Sequence, residues 1–219
     1  MMKLSENQKL VFIGDSITDT GRARPIGEKP FGGLGNGYVS LVDALLSAVY
    51  PQLRIRVVNV GISGNRVRDL AERWQSDVLD QKPDWLSIMI GTNDVWRQFD
   101  SPAITESHVY EQEYAETYNR LLEQTRPQLQ GLVLMTPFYL SLDMNDPMRK
   151  RMDEYGRIVR ELAAKHDAIF VDTQAAYDQL MQHVHSYELS GDRIHPNTAG
   201  HMVLAKAFLD AVGFSWDGR

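Results

Sequence analysis

The 219-residue chain contains no cysteine. That excludes disulfides, thiolate metal sites and a cysteine nucleophile. Positive charge is also scarce: 23 Lys and Arg face 29 Asp and Glu, a formal net charge of −6. Such a balance argues against nucleic acid or an anionic membrane as the main partner. No apolar run approaches the roughly 18 residues of a membrane span. The first apolar run, residues 10–13, is shorter than the core of a secretory signal and is followed by charge. The expectation is a cytoplasmic protein. Internal repeats, low-complexity tracts and Pro-, Gly- or Ser-rich linkers are lacking too, so residues 1–219 read as one domain. The glycine-rich stretch 27–37 lacks the Gly-Lys-Ser/Thr ending of a phosphate-binding loop, and no strand directly precedes it. It reads as a mobile loop near a site.

Against these absences, 43% of the residues are hydrophobic and 24% charged, enough to bury a full core. Short apolar runs at 10–13, 55–59, 85–90, 131–135 and 168–171 have the length of buried strands. Between them, apolar residues recur at helical spacing, as in Val67, Leu70, Trp74 and Val78, or Met148, Met152, Tyr155 and Val159. The alternation predicts an α/β fold: a three-layer αβα sandwich around a five-stranded parallel sheet.

In a parallel sheet the carboxyl ends of all strands share one rim, and that rim is where ligands bind. The sequence places short polar blocks there: Gly14-Asp15-Ser16-Ile17, Gly61-Ile62-Ser63-Gly64 and Gly91-Thr92-Asn93-Asp94. A fourth, Asp192-Arg193-Ile194-His195, precedes the last helix. Together they offer a serine, a histidine, an aspartate, amides beside glycine and an asparagine amide, which are the parts of a serine hydrolase. A serine hydroxyl needs a base to take its proton. His195 is the best candidate of six histidines, and Asp192, three residues earlier, could accept its other ring N–H. The amides of Ser16 and Gly64 and the side chain of Asn93 could face an oxyanion. Each block alone has a plainer reading: Ser16 or Asn93 as a cap, Gly64 as a turn glycine, Asp192 as a surface turn residue.

The four blocks, in this order across nearly the whole chain, resemble those of the SGNH hydrolases, the superfamily of GDSL esterases and lipases. The resemblance implies a flavodoxin-like fold, Ser16 as nucleophile, Ser16, Gly64 and Asn93 as oxyanion donors, His195 as base and Asp192 as its partner. Ile17 stands where the GDSL name has leucine, at a non-catalytic position. The Gly-x-Ser-x-Gly elbow of α/β-hydrolases is missing, so Ser63 is not the nucleophile.

Segments 14–24, 91–98, 135–139 and 192–201 are similar to those of bacterial intracellular acetylxylan esterases. That likeness implies an acetylated sugar as substrate, no cofactor, no metal and a homo-oligomer. Asp15, Trp96, Arg97 and Tyr139 are candidate substrate-binding residues. Loops carrying Trp96, Arg97, Gln98, Phe138 and Tyr139 suit sugar stacking better than a long acyl chain. Other readings stay open at this point: an esterase or thioesterase for other acyl groups, a metal-dependent hydrolase using Asp15, Asp94, Asp192, His195 and His201, or a sugar-binding module.

Overall fold

A computed structural model describes residues 1–218. Five parallel strands form one sheet: β1 (Lys9–Gly14), β2 (Arg56–Asn59), β3 (Trp85–Met89), β4 (Gly131–Met135) and β5 (Ile169–Val171), in the order β2-β1-β3-β4-β5. Each apolar run expected to be a strand is one, with ends that shift by a residue.

The strands are mostly apolar because both faces are covered, with Lys9, Arg56, Asn59 and Ser87 as the polar positions. Val11 and Ile13 of β1 enter one core, with Leu86 and Ile88 of β3 and Leu132 and Leu134 of β4. Leu10 and Phe12 enter the other, with Met89, Val133 and Met135. The first core is closed by α3 (Val67–Trp74), α4 (Thr92–Asp100), α5 (Glu111–Thr125) and α6 (Pro147–Lys165). The second is closed by α2 (Tyr38–Val49), α7 (Thr173–Met181) and α8 (Thr198–Ala211). A single helical turn, α1 (Ser16–Asp19), follows β1 directly. The result is the predicted three-layer sandwich.

Two local expectations change. Residues 92–98 are helical, not a loop, because Val95 packs into the first core and anchors α4. The glycine-rich stretch is tied down: the Gly27 amide donates to the Asn59 carbonyl at 2.9 Å, and Ala23 N donates to Gly33 O at 2.9 Å. Arg22, buried beneath it, donates through Nε to Gly61 O at 2.7 Å.

The strand order reverses direction beside β1: β2 lies on one side and β3 on the other. Connections leaving the two strands there diverge, which opens a crevice at their carboxyl ends. Three of the polar blocks follow β1, β2 and β3, so they meet at that crevice.

Candidate active site

β1 delivers Ser16. Gly14 ends the strand where a side chain cannot fit: a Cβ there would lie 2.4 Å from both the Met89 carbonyl and Thr18 Oγ1. Asp15 then caps α1, its carboxylate accepting the Ile17 amide at 3.0 Å. Ser16 is the first helical residue, so its own N–H has no intrahelical acceptor, and it finds none elsewhere among the described residues.

The last block brings in the histidine. Asp192 Oδ1 accepts from the amides of Ile194 (2.9 Å) and His195 (2.8 Å) and from Ser190 Oγ (2.9 Å). These bonds wrap the loop around one carboxylate oxygen. The other oxygen, Oδ2, lies 2.6 Å from His195 Nδ1. Partial burial alone would raise the Asp192 pKa. The hydrogen bond from the His195 ring, then those from the two amides and Ser190, overcome it and hold the carboxyl well below its usual range. An ionised carboxylate only accepts, so Nδ1 carries the proton and Nε2 presents a lone pair. Ser16 Oγ lies 2.9 Å from Nε2 and donates to it.

Gly64 and Asn93 complete the edge. Gly64 has φ +82°, a conformation that glycine adopts without strain. A Cβ there would meet nothing within 4 Å, so the requirement is conformational and the position faces open space. Its amide has no acceptor among the described residues. Asn93, in the first turn of α4, donates one N–H of Nδ2 to Asn65 O at 3.1 Å. Its Oδ1 accepts from Arg97 Nη2 at 3.3 Å. The guanidinium only donates and the carbonyl only accepts, so the two fix the orientation of the amide and leave its second N–H unassigned.

The substrate-binding candidates separate. The Trp96 ring meets the His195 ring edge-on at 5.7 Å, and the Arg97 guanidinium sits 4.8 Å from the Trp96 ring centre. Trp96 therefore stands beside the histidine, with Arg97 against its ring. Asp15 is a correction: it is 1% exposed and its carboxylate turns back onto α1, so it cannot meet a substrate. Burial pushes its pKa up to about 6. Phe138 is also buried, its ring tilted against that of Tyr177 at 4.5 Å in the second core. Gln98 points inward, donating to Val109 O and to Tyr155 Oη, both at 3.1 Å. Tyr139 is half-buried against the first core, with its backbone clamped by the Gln174 side chain.

Of the groups named for a metal-dependent alternative, Asp192 and His195 pair with each other, and Asp15, Asp94 and His201 bond elsewhere. Asp94 accepts the Val67 amide at 2.9 Å, and burial pushes its pKa up to about 8. His201 Nδ1 accepts the Tyr38 amide at 3.3 Å. No three His, Cys, Asp or Glu side chains converge as a ligand set among the described residues. No helix among the described residues is long and apolar enough to cross a membrane. Two residues of this region stand out only in the fold. Ser190 has a weak signal, a hydroxyl two residues before an aspartate. Asp19 bonds Ser63, a contact that no local spacing reveals.

The chain is similar to several known proteins. The chain is 57% identical over 215 residues to an acetylxylan esterase of Geobacillus stearothermophilus, covering 98% of each chain. A crystal structure of an acetylxylan esterase from that organism matches with a TM-score of 0.97 at 57% identity, over 98% of each chain. Catalytic mutants of that esterase, with a serine, an aspartate or a histidine replaced by alanine, match with the same TM-score. An α/β hydrolase from the metagenome of Lake Arreo, Spain, matches with a TM-score of 0.95 at 50% identity, over 97% of this chain and 98% of its own. The family described as GDSL-like lipase/acylhydrolase matches residues 12–203. The chain thus belongs to the GDSL-like lipase/acylhydrolase family.

Proposed function

We propose that this protein is a serine carboxylesterase that removes acetyl groups from xylo-oligosaccharides, acting as a single domain. The observation that carries the reading is the chain of bonds from Ser16 Oγ to His195 Nε2 (2.9 Å) and from His195 Nδ1 to Asp192 Oδ2 (2.6 Å). It stands beside two amides without acceptors. The likeness to acetylxylan esterases supports the choice of substrate.

In this reading His195 Nε2 takes the Ser16 proton as Oγ attacks the acetyl carbonyl carbon. The oxyanion forms against Ser16 N–H, Gly64 N–H and the second N–H of Asn93 Nδ2. These donors are fixed before the charge appears, so little reorganisation is needed at the moment of reaction. Collapse expels the sugar oxygen, which takes the proton from His195, and leaves an acetyl-enzyme. Water then attacks with His195 again as base, and acetate departs. Asp192 stays ionised and stabilises the imidazolium.

Trp96, edge-on to His195 and capped by Arg97, is the surface on which we place the sugar. A Trp face offers stacking area at small conformational cost. Self-association belongs to the same proposal. Trp216 (74% exposed) and Met202 share an apolar hollow with Leu45 and Phe214 that a second copy would cover. Sedimentation velocity tests it.

The deciding experiment compares aryl acetate, butyrate and octanoate with acetylated xylose, using Ser16→Ala as control. Acetyl esters should lead, with acetylated xylose turned over. Faster turnover of octanoate, with acetylated sugars untouched, would overturn the substrate assignment.

A further inference from the structure

The two backbone amides at the edge belong to different strands' blocks, 48 positions apart in sequence, yet they must be spaced for one oxygen atom. Gly64 cannot set that spacing itself. An amide kept free for an oxyanion makes no bond that holds its own loop, and φ +82° leaves glycine free to rotate. The hold must come from its neighbours. Ile62 N donates to Gly14 O at 3.1 Å, and Asn65 N donates back to Ile62 O at 3.2 Å. Between them, Ser63 gives both its donors to one atom: its amide (3.0 Å) and its hydroxyl (2.9 Å) reach Asp19 Oδ2.

Asp19 ends the helical turn that Ser16 begins. It is 3% exposed, and its Oδ1 is buried without a partner. Burying a carboxylate in that way is costly. Burial would raise its pKa; the bonds from Arg24 and Ser63 reverse that, so it remains ionised. Arg24 Nη2 closes the cluster at 2.6 Å from the same Oδ2. Helix packing alone does not require a buried carboxylate there, since an apolar side chain would fill the same space. What the carboxylate adds is a charge-assisted grip on Ser63.

We infer that Asp19 is a positioning residue for the oxyanion site, fixing Gly64 N–H against Ser16 N–H through its double bond to Ser63. One helical turn then carries the nucleophile and one donor at its start, and the anchor of the second donor at its end. The inference rests on the proposed roles of Ser16 and Gly64. Loosening the anchor should weaken transition-state binding and leave ground-state binding nearly intact.

The test uses the full chain with an aryl acetate and with phenylboronic acid, which forms a tetrahedral adduct on a serine. Asp19→Asn should lower kcat by about 10–100-fold, within the loss typical for a misplaced group. KM should stay within about threefold, and phenylboronic acid should bind more weakly by a factor similar to the kcat loss. Ser63 is exposed, so Ser63→Ala spares the fold and keeps the inference testable if Asp19→Asn fails to fold. It should lower kcat by about 3–10-fold, and Ser63→Thr, which retains the hydroxyl, should recover most of that, on the scale of one hydrogen bond. Unchanged kcat and boronate affinity in Ser63→Ala, or a loss confined to KM in either variant, would overturn the inference. If Ser16→Ala is inactive in that case, the proposed function stands without it. If Ser16→Ala remains active, the underlying reading falls first.

Discussion

Asp192 has two separable tasks, and one substitution divides them. Its Oδ1 accepts three bonds that shape residues 190–195, and its Oδ2 accepts one from the histidine ring. Asp192→Asn keeps an oxygen for the three donors, because turning the amide nitrogen toward them would oppose donor to donor. The nitrogen must then face His195 Nδ1. A ring nitrogen opposite a donor becomes the acceptor, so the proton moves to Nε2. Nε2–H can donate to Ser16 Oγ and cannot take its proton. The loop should stay folded while the base is lost. Asp192→Ala removes both tasks. The three Oδ1 bonds are each worth about 0.5–1.5 kcal/mol, and the half-exposed site puts them toward the lower end.

The expected result is therefore asymmetric. Asp192→Asn should lose about 10⁴-fold in kcat, the size seen when a triad histidine is forced into the wrong tautomer. Its thermal midpoint should stay within about 2 °C of the parent. Asp192→Ala should be at least as inactive and should also lose about 2–3 kcal/mol, or roughly 4–12 °C for a domain of this size. Steady-state kinetics on an aryl acetate and differential scanning calorimetry measure both quantities. Near-native kcat in Asp192→Asn would refute the tautomer argument. Equal midpoints for the two variants would refute the claim that Oδ1 holds the loop.

Three further outcomes are expected. Ser16→Ala should abolish formation of the acetyl-enzyme while the thermal midpoint barely moves; retention of burst-phase product release would exclude Ser16 as nucleophile. Asn93→Ala should cut kcat by about 10²–10³-fold, with KM little changed. An effect on KM alone would make the amide a ground-state contact. His201 responds to pH: burial, with the nearby His195 charge second, lowers its pKa from 6.5 to about 4. The unfolded chain therefore binds a proton there that the folded chain refuses between those values, so stability present above pH 6.5 is lost as pH falls toward 4. The loss is on the order of 1–3 kcal/mol. Chemical denaturation at pH 7 and pH 4.5 should show a smaller drop in His201→Gln than in the parent.

What the sequence made legible follows from chain-local rules. A buried parallel strand must be apolar on both faces, so β1, β3 and β4 announce themselves as runs. A glycine at the end of such a run marks the rim, and the blocks that follow those glycines hold Ser16, Gly64 and Asn93. The direction in which a rim side chain projects obeys no such rule. Asp15 sits next to Ser16, a place that suggests contact with a substrate, yet one residue's rotation at a helix start turns its carboxylate onto the Ile17 amide. Phe138 lies on a loop after β4, a place that suggests the rim, but Tyr177 of α7 draws it into the second core.

Asp19 shows the limit most directly. Ser-Ile-Thr-Asp, residues 16–19, has the spacing of a capping box, a purely local reading in which the aspartate serves its own helix. In the fold Asp15 takes the cap, and Asp19 is released to bind Ser63, 44 residues away. That contact exists because β1 and β2 are hydrogen-bonded neighbours, which places the turn after one strand against the turn after the other. Local spacing therefore identifies which residues can do chemistry at a sheet edge. Which residue holds which in register is decided by strand order, a property of the whole chain.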